Sequence, residues 1–139
     1  MPSGVYAGFD FGYKRIGVAI GQSITQTARP LCTLNAKDGV PDWQEVEKIL
    51  RDWRPEALIV GLPTCIDDSE QYTTPAAKAF ARKLHKQFKL PVHLVDERLT
   101  TVEARAQLFA EGGYRKIKNT PIDSIAACII LEQWLQEAT

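Results

Sequence analysis

The stretch Val5-Tyr6-Ala7-Gly8-Phe9-Asp10-Phe11-Gly12-Tyr13-Lys14-Arg15-Ile16-Gly17-Val18-Ala19-Ile20-Gly21 decides the fold. Apolar and small residues fill two arms, and Gly12-Tyr13-Lys14 supplies a tight reversal, so the segment reads as a β-hairpin. Asp10 stands out at the end of the first arm. A carboxylate there is costly to desolvate unless a cation or hydrogen-bond donors meet it. Taken alone, it is explained as a strand-end Asp that bonds the backbone of the following turn. The acids further along the chain suggest more.

Downstream of the hairpin, Arg29-Pro30-Leu31-Cys32-Thr33-Leu34 reads as a third strand, shortened at its start by the proline. A polar loop through Asp38-Gly39 leads to Asp42, an N-cap with Glu45 three residues on. Trp43, Val46, Leu50 and Trp53 then share one face of a helix, which Arg54-Pro55 ends. Ala57-Leu58-Ile59-Val60 is a short continuous apolar run, the pattern of a central strand covered on both faces. It is expected to empty into Gly61-Leu62-Pro63 and a polar loop containing Asp67, Asp68, Ser69 and Glu70.

Thr74-Pro75 opens the next helix, with threonine as N-cap and Ala77, Phe80, Ala81, Leu84 and Phe88 facing inward. Its opposite stripe, Lys78, Arg82, Lys86 and Lys89, fits a solvated surface better than a nucleic-acid track. Pro91 to Val95 forms another strand, running into Asp96-Glu97-Arg98. Thr100 and Glu103 make a capping box for a helix that stops at Gly112-Gly113. A basic loop, Tyr114-Arg115-Lys116-Ile117-Lys118-Asn119, precedes a last helix that starts at Thr120-Pro121 and packs through Ile122, Ala126, Ile129, Ile130 and Trp134.

The order βββ-α-β-α-β-α-α predicts an α/β fold: a mixed five-stranded sheet, three antiparallel strands then parallel strands, flanked by helices. With 139 residues, 45% hydrophobic and 24% charged, the chain is expected to form one domain over residues 1–139. A formal net charge of +0 leaves polyanion binding to local patches. No apolar run approaches the roughly 20 residues of a membrane span, and Met1-Pro2-Ser3-Gly4 lacks the basic and apolar regions of a signal peptide. Cys32, Cys65 and Cys128 are odd in number and far apart, which suggests reduced thiols in a cytoplasm. Cys32 and Cys128 are expected to be buried and inert, and Cys65 on its loop the most reactive.

Three features carry acids out of apolar elements: Asp10 at the end of strand one, Asp96 and Glu97 at the end of the last strand, and Asp123 in the first turn of the last helix. Asp123 alone could complement the helix dipole. Only one of Asp96 and Glu97 can face a shared site, because successive strand residues face opposite sides. If strand one and the last strand are neighbours, their acidic ends lie side by side and the last helix brings Asp123 over them. Carboxylates packed so closely repel unless a divalent cation neutralises them. With oxygen donors and no His or Cys, Mg²⁺ or Mn²⁺ is the fitting ion, and such ions serve in-line phosphodiester displacement.

Four motifs in order resemble the YqgF/RuvX family: Phe9-Asp10-Phe11-Gly12-x-Lys14-Arg15-Ile16-Gly17-Val18-Ala19, Val60-Gly61-Leu62-Pro63, Asp96-Glu97-Arg98-Leu99-Thr100-Thr101, and Asp123-x-x-Ala126-Ala127-x-x-Ile130-Leu131. The resemblance runs nearly end to end. It implies a ribonuclease-H-like nuclease domain, assigned to Holliday-junction resolution and implicated in bacteria in maturing the 5′ end of small-subunit ribosomal RNA. It also implies that Asp10, Glu97 and Asp123 are the catalytic, metal-binding acids, with Lys14, Arg15 and Arg98 beside them. Arg115, Lys116 and Lys118 are expected to add grip on nucleic acid. The chain departs from the family pattern at Asp68, where glycine is common, and at Pro121, where lysine is common.

The leading expectation is therefore a metal-dependent nuclease that hydrolyses phosphodiester bonds in processing the 5′ end of pre-16S rRNA. Its alternatives are a Holliday junction resolvase acting on branched DNA, which a homodimer would serve, and a non-catalytic RNA-binding assembly factor of the same fold. An actin-like phosphotransferase shares the acid-and-glycine hairpin but normally needs two such domains.

Overall fold

The computed structural model describes residues 4–64, 73–98 and 122–138, of which 62–64, 73–74, 96–98, 122–123 and 138 are described by backbone alone. In chain order the elements are β1 (Val5–Asp10), β2 (Arg15–Gln22), β3 (Thr27–Lys37), β4 (Val40–Pro41), α1 (Trp43–Trp53), β5 (Ala57–Thr64), α2 (Thr73–Phe88), β6 (Val92–Arg98) and α3 (Ile122–Ala138). The expected helix over 100–112 and the basic loop at 114–119 lie outside the described residues.

Among the described residues the strands form one sheet in the order β4-β3-β2-β1-β5-β6. β1 and β2 form the expected antiparallel hairpin, with Asp10 opposite Gly17, and β5 and β6 run parallel to β1. The mixed architecture is as expected, with six strands where the sequence suggests five. The extra strand is the two-residue β4, paired with β3. Asp38-Gly39 is thus a hairpin turn, with positive φ at both residues (54° and 84°), the backbone a two-residue primed turn demands.

Three other expectations need correction. β3 begins at Thr27, ahead of Pro30, because the proline sits beside a register break between Val18 and Ala19 that accommodates it. β5 runs on through Gly61-Leu62-Pro63 to Thr64. The ladder turns residues 58, 60, 62 and 64 toward β6 and 59, 61 and 63 toward β1, as the 2.8 Å bond from the Leu58 N–H to the Pro91 carbonyl fixes. Pairing of β5 with β1 ends at Gly61 opposite Asp10, so the donor that Pro63 lacks would face beyond the end of β1. Finally, β1 and β6 are not neighbours. The fully buried run Leu58, Ile59 and Val60 takes the slot between them, parallel to both.

The two faces carry separate cores. On one, Ala7, Phe9, Phe11, Ile16, Val18, Leu58 and Val60 pack against Val46 and Leu50 of α1 and Ala77, Phe80, Ala81 and Leu84 of α2. On the other, Ala19 and Ile59 pack against Ile125, Ala126, Ile129, Ile130 and Leu131 of α3. α1 has the expected cap, with Asp42 Oδ1 accepting from the Gln44 N–H at 3.0 Å. It stops where Arg54, barred from helix by Pro55, turns left-handed at φ 48°.

Candidate active site

Strand alternation assigns Ala7, Phe9 and Phe11 to the α2 face and Gly8 and Asp10 to the α3 face. The turn after Asp10 is fixed from both sides. Phe11 is 4% exposed and packs on Phe80 with ring centroids 5.5 Å apart. The Lys14 and Tyr13 carbonyls accept from the N–H groups of Ala36 and Gly39 at 2.8 and 2.9 Å. A Cβ on Gly12 would stand 2.5 Å from the Arg15 carbonyl oxygen, so only glycine fits the reversal. Asp10 is half-buried and engaged with neighbours, while Lys14 and Arg15 are exposed just beyond it.

Register carries this row across the sheet. Asp10 pairs with Gly61, which pairs with Val95. Position 97, two residues past Val95, is therefore on the same face as position 10, and positions 96 and 98 alternate to the α2 face. The alternation favours Glu97 over Asp96 as the acid on the α3 face. With β5 between them, the β1 and β6 backbones are about 10 Å apart, not adjacent as expected from sequence.

α3 crosses this face against the direction of β1. Trp134 meets Tyr6 at 5.5 Å between ring centroids, whereas Ala127 and Leu131 meet Gly8, where a Cβ would stand 3.2 Å from the Ala127 carbonyl oxygen and 2.8 Å from the Leu131 Cβ. From Gly8 to Asp10 the strand rises about 6.6 Å, and from Ala127 back to position 123 the helix rises about 6 Å. Position 123 therefore comes level with Asp10. It also shares the helix stripe of 127, 130, 131 and 134, which meets the sheet.

The backbone thus brings positions 10, 97 and 123 to one edge and one face of the sheet. Among the described residues no cluster of three His, Cys, Asp or Glu could hold a metal ion, and the Glu97 and Asp123 side chains lie outside those residues. Arg115, Lys116 and Lys118 lie outside them too. The sequence did not single out Ser124, which is fully buried beside position 123. A lone serine in a helical pattern carries no signal of its own. Cys32 and Cys128, expected to be buried, are half-buried. Burial, and then the nearby Glu45, raise the Cys32 thiol. Burial, and then Glu132, push Cys128 up to about 12, and its Sγ donates to the Ala28 carbonyl at 3.2 Å. Cys65 lies outside the described residues.

The model of the RuvX family, described as Holliday junction resolvase, matches residues 4–137. The chain belongs to the RuvX family. A relative from Legionella pneumophila (strain Lens), provisionally named a pre-16S rRNA nuclease, is 68% identical over 138 residues, covering 99% of each chain. One from Proteus mirabilis with the same provisional name is 52% identical over 136 residues, covering 98% of each. Among solved structures, the fowlpox virus Holliday junction resolvase superposes with a TM-score of 0.58 at 14% identity, over 97% of this chain and 99% of that one. The RuvC of T. thermophilus bound to a Holliday junction gives 0.55 at 18% identity, over 96% and 95%. Those two likenesses establish that this RuvX-family chain has the ribonuclease-H-like resolvase fold.

Proposed function

We propose that this protein is a metal-dependent nuclease that hydrolyses phosphodiester bonds at the 5′ end of pre-16S rRNA in the bacterial cytoplasm. The observation that carries the proposal is the arrival of positions 10, 97 and 123 at one edge of one sheet face. The provisional name of relatives up to 68% identical supports the substrate. The donor set of three carboxylates, without His or Cys, fits a hard divalent cation. Asp10, Glu97 and Asp123 would hold Mg²⁺ or Mn²⁺. A bound ion of this kind activates water and stabilises the departing oxygen. The chain's own part is to keep the carboxylates ionised and oriented. Lys14 and Arg15 hold the phosphate, and Arg115, Lys116 and Lys118 extend the grip along the strand. Arg98, expected beside the acids, takes no part because strand alternation puts position 98 on the opposite face.

Resolution of branched DNA is a second reading, favoured by the description of the family itself. Two symmetric cuts would then call for a homodimer.

One preparation tested on a precursor-rRNA fragment and on a four-way DNA junction, each with Mg²⁺, separates the two. The RNA is expected to be cut. Asp10→Asn should lower the rate at least about a hundredfold, since losing even an outer-shell partner of a metal costs 10–100-fold, while RNA binding persists. Junction cleavage without RNA cleavage would select the second reading. Cleavage untouched by Asp10→Asn would refute both, and RNA binding without cleavage by the wild type would leave an assembly factor.

A further inference from the structure

β6 closes the sheet on the side opposite β4, and among the described residues it pairs with β5 alone. Because the Pro91 carbonyl accepts from the Leu58 N–H, residues 91, 93 and 95 turn their polar groups toward β5. Val92 and Leu94 therefore present their N–H and C=O groups at the outer edge. The side chains of these two residues lie on the α2 face, opposite His93 and Val95.

A groove of about 930 Å³ runs there between α2 and β6. Its floor is aliphatic, made of Ala81, Val92 and a Leu94 that is 48% exposed. Its rim is Lys78, Arg82 and Lys86 along one stripe of α2 and Lys89 just past the helix end, all exposed, and the lining contains no Asp or Glu among the described residues. In a chain of net charge +0 such a one-signed rim is a local feature, not a share of a general surplus.

We propose that this groove docks an acidic, aliphatic segment of a partner polypeptide, which adds as a strand to the outer edge of β6. Strand addition uses an exposed sheet edge for main-chain bonds and side pockets for alternate residues. Both are here: the outward groups of Val92 and Leu94, and the aliphatic floor beside them. The cations of α2 stand where the acidic residues of such a segment would pass. A strand of roughly five residues spans the edge.

Nucleic acid fits this groove less well. Single strands gain from stacking on aromatic faces, and among the described residues the one aromatic ring in the lining is His85, whose Nδ1 is 2.9 Å from the Leu90 carbonyl oxygen. The groove also lies on the sheet face opposite positions 10 and 97. A second copy of the chain fits poorly as well, because a two-fold contact here would set one basic rim against its twin. None of this depends on the nuclease assignment, since no groove residue belongs to the acidic edge.

The test uses the full chain and a short fluorescein-labelled peptide of alternating glutamate and valine, read by anisotropy. Its controls are the lysine–valine peptide, the same glutamate–valine peptide N-methylated at alternate residues, and labelled oligouridine. The glutamate–valine peptide should bind and both peptide controls should fail. The double variant Arg82→Glu/Lys86→Glu, and separately Leu94→Asp, should each weaken it at least about tenfold, with Mg²⁺-dependent cleavage unchanged. In the wild type, peptide should slow amide exchange at Val92 and Leu94, a readout that needs no variant. Three results would overturn the proposal: no binding of the glutamate–valine peptide, equal binding of its N-methylated form, or oligouridine displacing it from the same residues at lower concentration. A large loss of melting temperature in Leu94→Asp would also count against it, because the groove would then be closed by the chain itself.

Discussion

On one face of the sheet Phe9, Phe11, Ile16, Val18 and Ile20 meet α1 and α2 with bulky side chains; on the other, Gly8, Ala19, Gly21 and Gly61 meet α3 with almost none. Bulk serves stability, since large apolar side chains bury the most area. Small residues serve position. They let α3 lie close against β1, so the close approach of the helix at Gly8, together with the Tyr6–Trp134 contact, sets the level of its first turn. The bulky face can be read as the anchor of the hairpin, and the lean face as the device that brings position 123 to Asp10.

The contrast is broken most severely at Phe80, which packs on Phe9, Phe11 and Trp43 with ring centroids 5.5–5.6 Å apart. Phe80→Ala should cost about 3–5 kcal/mol by chemical denaturation, while cleavage per folded molecule changes little. Gly8→Val should do the reverse. Overpacking against Leu131 and the Ala127 carbonyl is expected to cost about 1–3 kcal/mol, yet cleavage per folded molecule should fall further than in Phe80→Ala, because α3 is displaced from Asp10. Equal loss of activity in the two variants would erase the proposed division between the faces.

A smaller effect belongs to Cys128 on the lean face. The fold raises its thiol from the ordinary 9.0 to about 12, through burial first and Glu132 second. The folded chain therefore keeps the thiol neutral where the unfolded chain ionises it. This contribution to stability is whole below pH 9, and is lost as pH rises from about 9 toward 12. Denaturation midpoints measured across that window should fall more gently in Cys128→Ala than in the wild type. Alkylation of native Cys128 at pH 8 should be slow, since the thiolate is the nucleophile.

Much of this was legible in the sequence. The apolar and small residues from Val5 to Gly21, with the reversal at Gly12-Tyr13-Lys14, specified the hairpin, Asp42 and Arg54-Pro55 bounded α1, and the apolar run Ala57–Val60 marked a central strand. The errors came from local signals overruled by partners elsewhere. Gly61-Leu62-Pro63 reads as a break, but β6 carries β5 on past the end of β1, where Pro63 needs no donor. Asp38-Gly39 reads as a loop among polar neighbours, although the same dipeptide is also a hairpin-turn signal. For the acids, sequence could name Asp10, Asp123 and a choice between Asp96 and Glu97. It could not supply strand order, so β1 beside β6 was a condition the sequence could not check. The residues alone left 96 and 97 open and the family resemblance pointed to Glu97; a physical reason for that choice comes from the register Asp10–Gly61–Val95, a long-range pairing that no local pattern encodes.

The central claim is that Asp10, Glu97 and Asp123 act on one ion, and divalent-cation binding tests it without any assumption about substrate. Mn²⁺ titrated calorimetrically into the wild type, Asp10→Asn, Glu97→Gln, Asp123→Asn and Asp96→Asn compares each acid directly. Each of the first three substitutions should weaken binding at least about tenfold, and Asp96→Asn should leave it unchanged. If Asp96→Asn lowers the affinity while Glu97→Gln does not, the assignment of the strand faces at the acidic edge is wrong.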